Sequence, residues 1–306
     1  MRKTKLIMLL FAFILALSFP VMADSFDTMA DYVPRETQFT GYFKLSEMLN
    51  ADWSAFLLDT ADTAEAKQVW ADTEMFIFGS DALPGEWGGI VYAADIATLP
   101  EFVERANRDW EAGQFVLSDL SGTPVAISDD IIVWQLSDNL FALGQDESSI
   151  TAYRALTPSK LGLPSSLRNE LRSNTKDALV YVVGESDNSN FTLKCAMTPA
   201  DALLFDLNVY PLVMKPEEQG QVVMTFSLLW NMVAMQLYPD NSALATQLGS
   251  ALKCGFTDEE TFNLTFEFPA ELIKELTANP PDINQLLQGG SLGALTGSPA
   301  GAASTR

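Results

Sequence analysis

The chain has 306 residues, of which 48% are hydrophobic and 19% charged, enough apolar material for one large domain or two ordinary ones. A formal charge of −22 argues against nucleic acid and anionic lipid headgroups as partners. There is no histidine, which excludes a Ser-His-Asp triad, a Cys-His pair and His-based zinc or haem ligation.

Met1-Arg2-Lys3-Thr4-Lys5 precedes an apolar run from Leu6 to Leu17, which Pro20 ends before Val21-Met22-Ala23. Charge, run length and small exit residues make residues 1–23 a secretory signal peptide, cut after Ala23. The rival is an uncleaved anchor, because residues 6–23 just reach spanning length. No cysteine follows the cut, so a lipid anchor is not expected. The leader holds three bases and no acid, so its removal takes the charge from −22 to −25. The expected location is periplasmic or secreted.

The first half is expected to span 24–160. Thr37 to Leu45 alternates as a strand, and Ser46 caps a helix carrying Met48, Leu49, Trp53, Phe56 and Leu57. A second helix is predicted from Thr63 to Phe78, with Ala64, Val69, Trp70 and Phe76 inward. Gly85 to Gly89 reads as a loop without dinucleotide spacing, and Ile90 to Ala94 as a buried strand. Thr98-Leu99-Pro100-Glu101 is a capping box with proline in the first turn, followed by Leu99, Phe102, Val103, Ala106 and Trp110 on one helical face. A meander follows over 115–117, 125–127, 131–136 and 140–143. Its turns are Ser121-Gly122, Asp129-Asp130 and Asp138-Asn139, and tight turns impose antiparallel order. Glu147 to Ala155 closes the half as a helix.

The second half is expected to span 161–277, with a short helix from Ser165 and a buried strand over Ala178–Gly184. It contains one object twice. Leu193, Lys194, Cys195 and Thr198 recur as Leu252, Lys253, Cys254 and Thr257, an ungapped offset of 59 residues. Apolar Leu203, Phe205, Leu207 and Val209 recur as Phe262, Leu264, Phe266 and Phe268. Period-two alternation broken by a polar turn is a β-hairpin with one buried face. Between the copies, Glu217 to Tyr238 reads as a helix buried on nearly all sides, with Met224, Leu228, Met232 and Met235 near one stripe. Asn231 and Gln236 argue against a membrane span. An adaptable Met-lined binding groove is the alternative to core filling. A helix from Ser242 and another at Ala270–Leu276 complete the half. Residues 278–306, rich in Gly, Ala, Ser and Thr at the end, are expected to form a flexible tail.

The fold class is therefore α+β: antiparallel sheet built from short hairpins, helices packed on one face, and two related halves. This layout of signal peptide, α+β halves, short hairpins, Pro-led helices and polar tail resembles uncharacterised exported proteins of envelope-rich bacteria. The resemblance implies no catalytic residue.

Site candidates are few. Asp129-Asp130, Glu217-Glu218 and Asp258-Glu259-Glu260 are neighbouring acids of the solvent-facing cap type, and not a pair set across a cleft as a glycosidase needs. Trp53, Trp70, Trp110 and Trp230 read as core. Asp187-Asn188-Ser189-Asn190 offers oxygen ligands without a closing Glu. The glycosylation sequons at Asn190 and Asn263 fall in strands. No cofactor, metal or catalytic residue is assigned. Cys195 and Cys254, at equivalent places in the two hairpins, are expected to form a disulfide after export. The function expected is a non-enzymatic exported protein, binding or structural, with an envelope protein or small ligand as partner and no nucleic acid. A carboxylate-dependent extracytoplasmic hydrolase and an apolar-ligand or lipid carrier are the alternatives. No integral membrane span is expected after signal cleavage.

Overall fold

The computed structural model describes residues 25–44, 73–80, 87–109, 114–128, 131–186, 189–199 and 201–279. The leader, the helix over 48–57, Trp53, Trp70, Trp110, Asp129-Asp130, Asp187-Asn188 and the tail beyond 279 lie outside the described residues.

The chain runs α1 (Ser25–Ala30), β1 (Phe39–Phe43), β2 (Thr73–Gly79), β3 (Gly88–Ala93), α2 (Leu99–Asp109), β4 (Val116–Leu120), β5 (Thr123–Ile127), β6 (Ile132–Ser137), β7 (Leu140–Gly144) and α3 (Glu147–Ala155). It continues α4 (Ser165–Asn174), β8 (Val180–Ser186), β9 (Ser189–Met197), β10 (Leu203–Tyr210), α5 (Pro216–Leu237), α6 (Ser242–Ser250), β11 (Leu252–Phe256), β12 (Phe262–Phe268) and α7 (Ala270–Ala278). The fold is α+β. The described strands form one twelve-stranded sheet in the order β11-β12-β10-β9-β8-β1-β2-β3-β7-β6-β5-β4. β1 pairs antiparallel with both β2 and β8, so the stretches before and after residue 160 share one continuous sheet.

Local chemistry accounts for most of the elements. Thr98 and Glu101 close the predicted capping box: the Thr98 N–H donates to Glu101 Oε2 at 3.1 Å, and the Glu101 N–H to Thr98 Oγ1 at 3.4 Å. Ser121 and Gly122 take φ of 53° and 79°, as the tight turn between β4 and β5 demands. Asn139, at φ 63°, donates from its amide to the carbonyls of Ala93 and Ala94 and ties the β6–β7 turn to the end of β3.

One prediction is overturned here. The helix expected over 63–78 gives way to strand β2 from residue 73, and Phe76 faces the core from a strand. Thr-Glu-Met-Phe-Ile-Phe-Gly lies between β1 and β3 and is buried at every position. A strand buried on both faces loses its alternation, and periodicity then fails to separate it from a buried helix.

The helices divide by sheet face. α1, α3 and α4 place Phe26, Met29, Ile150, Tyr153 and Leu171 against Tyr42, Phe76, Phe78, Ile90 and Trp134. On the other face α2 sets Leu99, Phe102, Val103 and Ala106 against Met75, Val91, Val133 and Phe141. α5, α6 and α7 share a smaller core of Ala234, Tyr238, Leu244, Leu248, Leu272 and Leu276. Over β9 to β12 the side opposite α5 is polar. There Asp206 Oδ1 accepts from the amides of Asn263 (2.5 Å) and Asn208 (3.2 Å), and Lys253 pairs with Glu267 at 2.8 Å.

The two hairpins have matching registers. Cys195 faces Phe205 across the first, and Cys254 faces Leu264 across the second, at the same offset of 59 residues. They join through their second strands, β10 to β12, with Asp206 opposite Thr265. These two residues are themselves equivalent positions of the repeat, so a local approximate twofold passes between them.

Candidate functional site

Among the described residues, the feature that departs furthest from an ordinary globular surface is α5. Pro216 opens the helix, where its missing N–H costs nothing, and the Lys215 N–H donates back to Glu218 Oε2 at 3.0 Å. From residue 219 to 239 the sequence carries no charge. One side of the helix packs on the second hairpin and on α6. The Trp230 ring lies 4.8 Å from that of Phe266, and its Nε1–H donates to the Leu248 carbonyl at 2.8 Å. Phe226 meets Phe262, and Asn231 lies over Gly249. Cys254 Sγ sits 3.5 Å from both Ser227 Oγ and the Val223 carbonyl.

The other side of α5 faces solvent. Met224, Leu228, Met232 and Met235 are 55–66% exposed, and Val213 just before the helix is 77% exposed. Ala234 is the one buried residue of the helix. The expectation of a helix buried on nearly all sides is therefore corrected. Among the described residues, α5 has packed neighbours on one side only. An uncharged run reads the same in sequence whether one face or all faces are covered. Of the alternative, a Met-lined binding groove, the structure shows the exposed methionines.

An acidic turn stands at the start of α5. Gln219 Nε2 donates to the Glu259 carbonyl at 3.0 Å, and the Leu212 N–H to the Glu260 carbonyl at 2.6 Å. This brings exposed Asp258, Glu259 and Glu260 beside exposed Glu217 and Glu218. Asp258 is a turn cap, as its sequence position suggests. Its Oδ1 accepts from the N–H groups of Glu260 and Thr261 at 2.8 and 2.7 Å, and these bonds, led by that from Glu260, hold its carboxyl below the ordinary range. Sequence reasoning had no route to this cluster, because its two parts lie about 40 positions apart in a run without periodicity linking them.

The disulfide expectation is also corrected. Cys195 and Cys254 are both free thiols. The local twofold runs between the second strands of the hairpins, so the first strands, β9 and β11, lie on the outside with β10 and β12 between them. Three strand spacings amount to roughly 14 Å, against the ~7 Å Cα separation a disulfide tolerates. Cys195 is deep in the main core, and burial pushes its thiol pKa well up.

Other sites carry less. Asp146 caps α3: its Oδ1 accepts from the Ser148 hydroxyl at 2.7 Å and from the Ser149 N–H at 2.8 Å, and these bonds lower its pKa. Ser189 Oγ donates to the Pro211 carbonyl, and Asn263 is engaged in the polar ladder. A cleft of about 400 Å³ beside α6 and α7 is lined by Gln247, Glu271, Pro269 and Leu272 and by the Lys253–Glu267 pair. Among the described residues no group of three or more His, Cys, Asp or Glu is placed to hold a metal ion. Among them, too, no helix is long and apolar enough to cross a membrane.

No protein-family model and no curated protein matches the chain. Solved structures of TP0453 are similar in part. Crystal form III matches at a TM-score of 0.47 and 9% identity, over 82% of this chain and 98% of that one. Crystal form I matches at 0.44 and 9%, over 82% and 96%, and form IV at 0.41 and 10%, over 83% and 100%. A likeness at this level carries no functional argument.

Proposed function

We propose that the protein is an exported, non-enzymatic binding protein of the cell envelope, and that the exposed face of α5 is its working surface. The observation that carries this reading is the row of large apolar side chains left in water along one helix. Soluble chains rarely leave a contiguous apolar patch without a use for it, and such patches mark interaction sites. Export rests on the leader, with its basic start, apolar run and Ala23 exit.

Two measurements test the reading together. Intact mass of the protein recovered from the envelope or medium is expected to begin at Asp24. A photoreactive benzoylphenylalanine replacing Met232 is expected to give adducts in intact cells, and the same group replacing Lys253 on the opposite side of the sheet is not. A full-length mass in the cytoplasm, or equal adduct yield at the two positions, refutes it.

A further inference from the structure

We infer that the apolar stripe of α5 and the acidic turn beside its first turn form one docking surface, whose occupant is an amphipathic helix of another protein carrying basic residues at one end. This rests on the reading of α5 as the working surface and adds the chemistry of the partner. Met224, Leu228, Met232 and Met235 are spaced four, four and three residues apart and are exposed together. Over that span the helix rises about 16 Å, or three turns of a partner lying alongside. A helix reads another helix through anchors at this spacing. Methionine, unbranched and polarizable, moulds to such anchors. The exposed amide of Gln236 beside the stripe suits a protein partner better than hydrocarbon.

Charge selects among the occupants. Between residues 210 and 240 the sequence has a single base, Lys215, and the acids lie at the two ends, with Asp240 at the far one. A second copy laid parallel sets the acidic turns against each other. Laid antiparallel, it sets each against Asp240. Neither arrangement supplies a counter-charge, and a strongly acidic chain repels its own kind. An anionic bilayer meets the same field. A helix with bases at one end gains encounter rate and a fixed direction from the turn, its basic end lying beside the first turn of α5.

The test uses the full exported chain with benzoylphenylalanine at Met232, irradiated in intact cells, and the crosslinked peptide sequenced. A companion chain adds Glu217→Lys, Glu259→Lys and Glu260→Lys. Glu218 and Asp258 are left intact because each caps backbone, and an unchanged melting curve verifies the fold. The expected adduct is a peptide of amphipathic helical pattern with Lys or Arg at one end, and its yield falls roughly tenfold in the companion chain. An adduct to lipid, to a second copy of this chain or to a peptide without bases overturns the inference, as does an undiminished yield in the companion chain; in each case α5 still stands as a docking surface. Absence of any adduct at Met232 overturns both.

Discussion

At the scale of single residues, the two thiols and one carboxylate have measurable consequences. Cys195 and Cys254 are too far apart to bond, so both are expected to alkylate quantitatively in unfolded protein that has never been reduced. A linked Cys195–Cys254 peptide in a non-reducing map contradicts the separation of β9 and β11. In the folded state Cys195 should label more slowly than Cys254, because it is buried and its thiol is kept protonated. Asp146 is the second case. Asp146→Ala removes the acceptor for the Ser149 N–H and should cost about 1 kcal/mol in denaturant unfolding. Its carboxyl is held below the ordinary value of 3.8 in the folded state, so its contribution is fully present above that pH. The contribution disappears as the pH falls through the lower, folded value. The difference between wild type and Asp146→Ala should therefore narrow in acid; a difference that widens there rules out the cap as its source.

At the scale of elements, α5 separates its two sides energetically. Met232→Ala removes a side chain already in water and should change stability by no more than about 0.5 kcal/mol. Trp230→Ala removes a ring packed on Phe266 and a hydrogen bond to Leu248, and should cost about 3 kcal/mol. Equal costs at the two positions mean that something covers the outer face in the isolated protein. Sheet packing is equally specific at Phe39, which lies opposite Gly79 on β2 and Gly184 on β8. A Cβ on Gly184 meets the Phe191 ring and Phe39 Cβ at 2.6 Å, so small residues on neighbouring strands make room for the aromatic rings.

For the whole molecule, the main core draws on residues from Phe43 to Ile273, and β1 lies between β2 and β8. The chain is therefore expected to unfold in one cooperative transition, with near- and far-ultraviolet circular dichroism coinciding. Two separated transitions mean that the stretches on either side of residue 160 hold together independently. The hairpins, the capping box at Thr98, the tight turn at Ser121-Gly122 and the common register of the 59-residue repeat were legible in the sequence. They depend on neighbours a few positions away, where period-two alternation, helix caps and turn residues act directly. Three matters depended instead on what lies next to an element in space. β2 took a strand over a predicted helix because β1 and β3 flank it. Cys195 and Cys254 stay apart because the hairpins join by their second strands, a choice that alternation within each hairpin leaves open. Among the described residues α5 is bare on one side: its uncharged run is the same in sequence under one covering layer or two, and only the stacking of the second hairpin and α6 beneath it decides which face meets water.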